Sequence, residues 1–349
     1  MTPWRESASL IILAKKSIEQ CKKFNYNVLL FKRSEKSSFM KNHAVFPGGV
    51  FEKSDQSQDW LHYFQSSGIT DSKLSELTRI KGTRPPMYKN LVDSAIKKEI
   101  SLRITAIRET FEEVGLLLCK PKASENNDQI YSHVKHNFDR KKWQKEVHND
   151  SNKFLEMCKE LEVIPDLWSL HEWAAWLTPA SFKKRFETAF YIVAVNHQPD
   201  IIIEENEVKE FHWNTPAEYF ELFEKKKLWL PPPQIYELSR LSRKSDIEDV
   251  IQFAERREKL GTTLFLPVQY QLNDAMMSAY PGDDYYPENP EECKELIRIG
   301  ENMAVINEKS YNIHRCCFEA FHKNYVEMNI QPPNGHIKPV TKSESLSKL

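Results

Sequence analysis

The sequence predicts an α/β fold in which a central sheet carries helices. Short apolar runs typical of buried strands alternate with longer segments whose apolar residues recur every three or four positions, as on one face of a helix. The 349 residues, of which 40% are hydrophobic, suffice for one elaborated domain or two. Strands flanked by helices on this scale are typical of a sheet covered by helices.

The first third of the chain supplies three predicted strands and a strongly periodic helix. Apolar runs that predict strands lie at residues 9–14, 26–31 and 44–50. The last run contains the tight turn Gly48-Gly49. A polar stretch follows, with helical segments near residues 58–65 and 91–98. From Ile104 to Val114 the apolar residues keep helical spacing, and Gly115 fits a helix C-terminal cap.

The remaining elements alternate in the same way. Further strands are predicted at 116–119, 173–177, 190–195 and 208–213. Helices are predicted within the charged stretch 121–160 and at 216–222, 235–242, 246–259 and 291–301. The expected organisation is a core of residues 1–240 with an insert at about 51–100, a helical extension at 241–331 and a disordered tail at 332–349.

Composition and termini restrict the class of protein. The net charge of −1 weighs against non-specific binding to nucleic acid or to a membrane surface. No apolar run is long enough to span a bilayer. The six cysteines lack a CxxC pair, which indicates reduced thiols. The chain ends in Ser347-Lys348-Leu349, the signal that a peroxisomal import receptor reads, so we expect a peroxisomal protein.

Three carboxylates share one side of the periodic helix. Glu109, Glu112 and Glu113 are spaced three and four residues apart, and they repel one another unless a cation neutralises them. Mg²⁺ and Mn²⁺ prefer such oxygen donors. The neighbouring Arg108 can pair with one carboxylate and fix its rotamer. The alternative explanation is an ordinary solvated acidic face.

The wider pattern resembles the Nudix hydrolase signature, G-x5-E-x7-R-E-U-x-E-E-x-G-U, in which U is aliphatic. The matching residues are Gly49, Arg108-Glu109, Glu112-Glu113, Gly115 and Leu116. Two features depart from it. Gly49 and Arg108 are 108 − 49 = 59 residues apart, so about 45 residues are inserted. Counted back from Arg108, the first Glu of the signature would fall on Ile100.

A split signature resembles the type-19 branch of the Nudix hydrolases, the peroxisomal coenzyme A diphosphatase-like proteins. The resemblance spans about residues 7–240 and is carried by segments 28–34, 39–40, 45–50, 176–179, 185–190 and 207–213. It implies an α/β/α sandwich with a mixed sheet, a helical insert and a C-terminal extension. It also implies Mg²⁺- or Mn²⁺-dependent hydrolysis of coenzyme A and acyl-CoA to 3′,5′-ADP and 4′-phosphopantetheine, free or acylated.

The resemblance also assigns roles to residues. The metal ligands would be Glu109, Glu112, Glu113 and the backbone carbonyl of Gly49, with Arg108 as a further catalytic-site residue. The substrate-binding residues would be Arg33, Phe46 and Arg185. A further acidic ligand or general base would be one of Glu204, Glu205 and Glu207, each of which is equally well explained as part of a solvated acidic loop. The insert, whose ends lie beside the carboxylate helix, is expected to form a wall or lid of the pocket.

Two other functions stay open from the sequence. One is hydrolysis of a different nucleoside diphosphate derivative, such as NADH, ADP-ribose or a capped RNA end. The other is a Nudix module that binds nucleotide without catalysis, which the loss of a Glu at position 100 favours. The three retained carboxylates oppose this second alternative.

Overall fold

The computed structural model of the chain describes residues 4–36, 40–89, 96–122, 130–320 and 323–344. Three sequence expectations lie outside these residues, wholly or in part: Phe39 of the family-like segment, residues 91–95 of a predicted helix, and the terminal Ser347–Leu349.

A mixed sheet occupies the centre of the protein. In chain order the strands are β1 Arg5–Lys15, β2 Tyr26–Arg33, β3 Ala44–Val45, β4 Gly48–Val50, β5 Leu117–Pro121, β6 Tyr131–Ser132, β7 Val134–Lys135, β8 Val163–Pro165, β9 His171–Leu177, β10 Phe186–Val195, β11 Val208–Asn214 and β12 Leu264–Phe265. The main sheet has the order β11-β2-β1-β10-β9-β12, and β3, β4 and β6 pair with β2, β1 and β10. The other three strands form a separate small sheet ordered β7-β5-β8. β1 runs parallel to β10, whereas β2 and β4 run antiparallel to β1.

Helices cover both faces of this sheet. They are α1 Gln58–Ser66, α2 Asp71–Glu76, α3 Lys98–Val114, α4 Arg140–Asn149, α5 Lys153–Glu160, α6 Pro216–Glu224, α7 Pro232–Leu241 and α8 Ile247–Glu258. One further helix, α9 Met303–Lys309, packs into a separate core nearer the C-terminus. Alternation along β1 explains the layers, because Leu10 and Ile12 join the core that contains α3, whereas Ile11 and Leu13 join the core that contains α6, α7 and α8. The predicted α/β/α sandwich is confirmed.

Helix α3 ends where the sequence predicts, but it begins at Lys98, earlier than the predicted start near Ile104. Its buried residues Ile104, Ile107, Phe111 and Val114 lie on the side that packs against the sheet. Each fully buried side chain of this kind contributes about 1.5–3 kcal/mol to folding. Gly115 closes the helix in the left-handed conformation (φ 68°), which costs a residue with a side chain more than it costs glycine.

The insert is helical, as predicted, and packs tightly against neighbouring elements. The rings of Trp60 in α1 and Phe154 in α5 lie 5.7 Å apart. The Tyr63 hydroxyl donates towards the carbonyls of Cys158 and Val163, each at 2.8 Å. Trp168 donates its indole N–H to the Lys73 carbonyl at 3.2 Å. These contacts attach the insert to α5 and to the chain that leads into β9.

The expectation of a mainly helical C-terminal extension is wrong. After α8 the chain forms a second sheet, ordered β15-β13-β14-β16-β17, from strands Val268–Gln271 (β13), Met276–Ala279 (β14), Ile297–Arg298 (β15), His314–Ala320 (β16) and Lys323–Met328 (β17). Val268 and Tyr270 alternate into its core with Met277 and Ala279. The helix predicted at 291–301 is replaced by a 3₁₀ turn at Pro290–Glu292 and by β15.

The predicted disordered tail is wrong for residues 332–344, which pack on α7. Val340 is 1% exposed, and its carbonyl accepts a hydrogen bond from the Ser239 hydroxyl at 2.9 Å. The Arg243 guanidinium donates to the Pro339 carbonyl at 3.1 Å. Across the described part of the chain, no helix combines the length and the apolar character needed to cross a bilayer.

Candidate active site

The C-terminal half of α3, which carries the three glutamates, reaches a cleft of about 500 Å³. Most of this cleft lies on the other face of the sheet, beside Trp176 and Phe190. Two of the predicted ligands, Glu109 and Glu113, line one end of this cleft together with Gly48 and Gly49. Glu112 does not line it and points instead towards Arg108. The structure therefore brings together residues that are more than 50 positions apart in the sequence.

Strand β4 and helix α3 approach so closely that only glycine fits between them. A Cβ atom on Gly49 would lie 2.4 Å from Oε2 of Glu109, so any side chain would displace that carboxylate. The Gly48 backbone N–H donates to Oε2 of Glu113 at 2.7 Å. Pairing of Gly49 with Ala8 fixes β4 against β1. The Gly-Gly turn thus positions two carboxylates, and the metal-binding role of the Gly49 carbonyl stays a prediction.

Arg108 is the centre of the buried charge network. Its Nε and Nη2 donate to the two carboxylate oxygens of Asp55 at 2.8 and 2.9 Å. Its Nη1 contacts Oε1 of Glu109 at 3.1 Å and also donates to Glu112. The Val50 carbonyl accepts from Nη2 at 2.9 Å. One guanidinium therefore contacts two of the three predicted ligands, whereas the sequence suggested pairing with one.

Sequence reasoning missed Asp55, although a signal for it exists. Counting forward from Gly49, the pattern G-x5-E places the first acidic residue at position 55, so Asp55 stands where the signature has Glu. The inserted residues thus follow Asp55, and the acidic position is shortened by one methylene rather than lost to Ile100. Asp55 is 1% exposed, and Thr105 and the Glu52 backbone N–H donate to its Oδ2 at 2.8 and 3.0 Å.

The expectation that the insert forms a wall or lid is wrong for its described residues from Lys53 onward. Glu52 lines the cleft, but none of the described residues from Lys53 to Lys89 does. The insert instead supplies Asp55 to Arg108, and its later residue Met87 donates its backbone N–H to Glu187 at 3.0 Å. Its contribution is to hold α3 and β10 in place from the side away from the cleft.

Burial sets the protonation of the carboxylates. Burial raises the pKa of Glu109 and, more strongly, that of Glu113, although Arg108 and Arg33 respectively oppose the change. Burial and the adjacent charge of Glu109 raise the pKa of Glu112 to about 8. Three carboxylates packed this closely favour the protonated form unless more positive charge reaches them. This is the electrostatic condition that a bound cation relieves.

The donor set suits a hard divalent cation in chemistry, although the side chains are paired within the protein. In the described ranges no three His, Cys, Asp or Glu side chains converge as a ligand group. Glu109 and Glu112 accept hydrogen bonds from Arg108, and Glu113 accepts one from the Gly48 backbone N–H. Carboxylate oxygens are nevertheless the ligands that such cations prefer. Glu109 and Glu113 already line the cleft, whereas Glu112 would have to rotate away from Arg108 to reach a cation there.

The three acidic residues in the loop before β11 differ in their position relative to the cleft. Glu207 lines the cleft, and Glu204 and Glu205 do not. The Glu204 side chain accepts the backbone N–H groups of Asn206 and Glu207 at 3.0 and 2.9 Å, which holds the loop in shape. The Glu113 carbonyl accepts from the Glu204 backbone N–H at 3.0 Å, which ties the loop to α3.

The predicted substrate-binding residues divide into two groups. Arg33 and Phe46 line the cleft, and the Arg33 guanidinium lies 3.8 Å from Oε1 of Glu113. Arg185 is absent from the lining. Its guanidinium donates to the Thr178 carbonyl at 2.9 Å and pairs with Glu291 at 3.0 Å, and it stacks over Trp4. These contacts indicate that Arg185 attaches β10 to the C-terminal extension.

Comparison with known proteins identifies the family of this chain. The NUDT19 Nudix domain family matches residues 4–241. A Xenopus laevis protein named acyl-coenzyme A diphosphatase NUDT19 is 36% identical over 99% of this chain and 98% of its own length. The human protein of that name is 29% identical over 96% of this chain and 94% of its own.

The fold also matches a solved structure. The crystal structure of a NUDIX hydrolase from Alicyclobacillus acidocaldarius superposes with a TM-score of 0.52 and 20% identity, and it covers 72% of this chain and 97% of that one. The family resemblance that the split signature suggested is confirmed. The chain belongs to the NUDT19 family of Nudix hydrolases.

Proposed function

We propose that this protein hydrolyses the diphosphate bond of coenzyme A and of acyl-CoA esters, releasing 3′,5′-ADP and 4′-phosphopantetheine or its acylated form. The observation that carries the proposal is the carboxylate end of the cleft, where Glu109 and Glu113 meet the Gly48-Gly49 turn. The names of the amphibian and human relatives supply the substrate class.

Mg²⁺ or Mn²⁺ is the proposed cofactor. Glu109, Glu112 and Glu113 would hold it, with the Gly49 carbonyl as a further oxygen ligand. When bound, such a cation neutralises charge on the diphosphate and makes water more nucleophilic. The raised pKa values of the three carboxyl groups are consistent with a site that takes up positive charge.

The surrounding side chains have separable tasks. Arg33, on the cleft wall beside Glu113, would bind a phosphate oxygen of the substrate. Glu207 faces the same end of the cleft and would accept the proton of the attacking water as the new O–P bond forms and the bridging P–O bond breaks. Arg108 would act as a positioning residue, because it contacts the carboxylates and not the cleft.

We further propose a peroxisomal location. The support is the sequence Ser347-Lys348-Leu349, which an import receptor would bind. An enzyme that degrades acyl-CoA esters fits a compartment in which such esters are turned over.

A substrate panel tests the activity. The full-length protein is incubated with Mg²⁺ or Mn²⁺ and with coenzyme A, an acyl-CoA, NADH, ADP-ribose or capped RNA, and the products are separated by chromatography. We expect 3′,5′-ADP from coenzyme A and from the acyl-CoA, at higher kcat/KM than for the other compounds. Faster cleavage of one of the other compounds would assign a different substrate, and no cleavage of any would favour a binding module.

A further inference from the structure

The cleft continues across the sheet, away from the carboxylates. Strand register sets Ser7, Thr188 and Trp176 side by side on β1, β10 and β9, and all three line the cleft. Gly49 is paired to the other side of β1. The floor therefore extends over three strand spacings from β4 to β9, which is about 14 Å.

The far end of this floor is enclosed by residues beyond the family-matched segment 4–241. Gln269 of β13 and Ser278 of β14 are direct cross-strand partners and line the cleft, as does Pro267. They lie on the face of the second sheet opposite the core that contains Val268 and Met277. The C-terminal extension thus completes the cleft of the Nudix domain.

Trp176 of β9 contacts both the C-terminal extension and α7. Its ring lies 4.9 Å from that of Phe265 and 5.4 Å from that of Tyr280, which are two residues from Pro267 and Ser278 respectively. Its indole N–H donates to Glu237 of α7 at 2.9 Å. The extension is therefore held against β9 rather than loosely attached.

A second contact holds the roof of this end. The Ser181 hydroxyl donates to Oε1 of Gln269 at 2.8 Å, which fixes the loop between β9 and β10 to the second sheet. Phe182 of the same loop lines the cleft and is 42% exposed. An aromatic ring left this exposed beside a cleft is available to cover a ligand.

Gln234, near the start of α7, is the polar group that indicates a ligand here. Its side chain lines the cleft and is 6% exposed, and its Oε1 has no hydrogen-bond partner among the described residues. A buried amide oxygen without a partner is unfavourable, so such groups are normally satisfied. A hydrogen-bond donor that enters the cleft would supply the missing partner.

Uncharged groups distinguish this end from the carboxylate end. Glutamine and serine side chains stand here among aromatic rings and prolines, whereas Arg33, Glu109, Glu113 and Glu207 are grouped at the other end. Three charged residues, Arg5, Glu52 and Lys184, also line the cleft. Arg5 pairs with Glu52 at 3.4 Å, and Arg5 and Lys184 precede the Ser7–Thr188 pair of the floor by two and four residues. The chemistry suits a neutral chain in which amides alternate with methylene groups.

We propose that this far end is the subsite for the pantetheine arm of the substrate, and that Gln234 accepts a hydrogen bond from one of its amide N–H groups. The proposal rests on the proposed function. Pantetheine is about as long as four residues of extended chain, or about 14 Å, which matches the floor of the cleft from β4 to β9. Gln269 and Ser278 then contact the second amide.

Kinetics of two variants test the subsite. Gln234→Leu and Gln269→Ala should each raise KM for coenzyme A by a factor of about three to ten while leaving kcat nearly unchanged, because each removes a neutral hydrogen bond distant from the reacting bond. The inhibition constant of pantetheine should rise by the same factor. The inhibition constant of 3′,5′-ADP should stay at the wild-type value.

Gln271→Ala is the matched control, since Gln271 lies on β13 but does not line the cleft. Should Gln234→Leu fail to fold, Gln269→Ala carries the test alone. Weaker inhibition by 3′,5′-ADP, with pantetheine unaffected, would assign this end to the nucleotide and overturn the proposal, as would unchanged constants for both variants. Absence of coenzyme A hydrolysis by the wild type would instead overturn the proposed function.

Discussion

Replacement of Asp55 by Ala is the most informative change to the ion-pair network in which Arg108 joins Asp55 to Glu109 and Glu112. Asp55 receives two hydrogen bonds from Arg108 and one from Thr105, and the side chains of Asp55 and Arg108 are each 2% exposed. Without Asp55 the guanidinium keeps its contacts with Glu109 and Glu112 but loses the anion that fixes its position.

The expected magnitude follows from this burial. Removing one partner of a buried ion pair costs about 3–5 kcal/mol when the other charge is left without compensation. Glu109 and Glu112 still compensate part of the Arg108 charge, so the lower end of this range applies. Solvent screening reduces this value little, because neither side chain reaches water. We therefore expect Asp55→Ala to lower the free energy of unfolding by about 3 kcal/mol and to lower kcat at least about tenfold, since Arg108 no longer orients two ligands.

Urea unfolding followed by circular dichroism, together with coenzyme A turnover, measures both effects. Asp59→Ala, an exposed change in the same insert, is the control and should change stability by less than about 1 kcal/mol. Asp55→Glu should recover part of the loss, because the signature has Glu at this position. A change below about 1 kcal/mol for Asp55→Ala would refute the role assigned to this pair.

Three further predictions concern the pH dependence of stability, the proposed peroxisomal targeting signal and the insert. Because the pKa of Glu112 is raised from 4.5 to about 8 in the folded protein, the metal-free protein should lose stability as pH rises from about 5 to 8, and Glu112→Gln should flatten that slope in thermal unfolding. An unchanged slope would refute the assignment. Deletion of Ser347–Leu349 from an N-terminally tagged protein should leave it in the cytosol by microscopy. If the shortened protein is still found in peroxisomes, these three residues are not the targeting signal. Replacement of residues 57–89 by a Gly-Ser linker should yield misfolded protein, because it removes the Trp60 and Tyr63 contacts; a folded, fully active product would show that the insert is dispensable.

Local signals in the sequence were sufficient to predict where α3 ends and that its three glutamates lie on one side of it. The periodicity from Ile104 to Val114, the cap at Gly115 and the acidic spacing all lie within one helix, so a short window contains them. Glu207 could be narrowed only to a loop, because which of three neighbouring acids faces the cleft depends on how that loop folds.

Long-range pairings account for what the sequence did not predict. Asp55 pairs with Arg108 across 53 residues, and only a count from Gly49 reveals it. Arg185 lies in a family-like segment, but its contact with Glu291, 106 residues later, decides its orientation. Strands β13 and β14 have four residues each, so their alternation is too short to be distinguished from a helix fragment before their pairing is known.

Titration of the metal-free protein with Mn²⁺ tests the central claim most directly, because it measures cation binding at the carboxylates without assuming a substrate. Calorimetry on the wild type and on Glu113→Gln, combined with coenzyme A turnover, gives affinity and kcat for the same samples. We predict that wild-type binding is accompanied by proton release, and that Glu113→Gln weakens it at least about tenfold and lowers kcat by about two orders of magnitude while the protein stays folded. Equal Mn²⁺ affinity and equal kcat in the two proteins would contradict the claim that these carboxylates hold the metal.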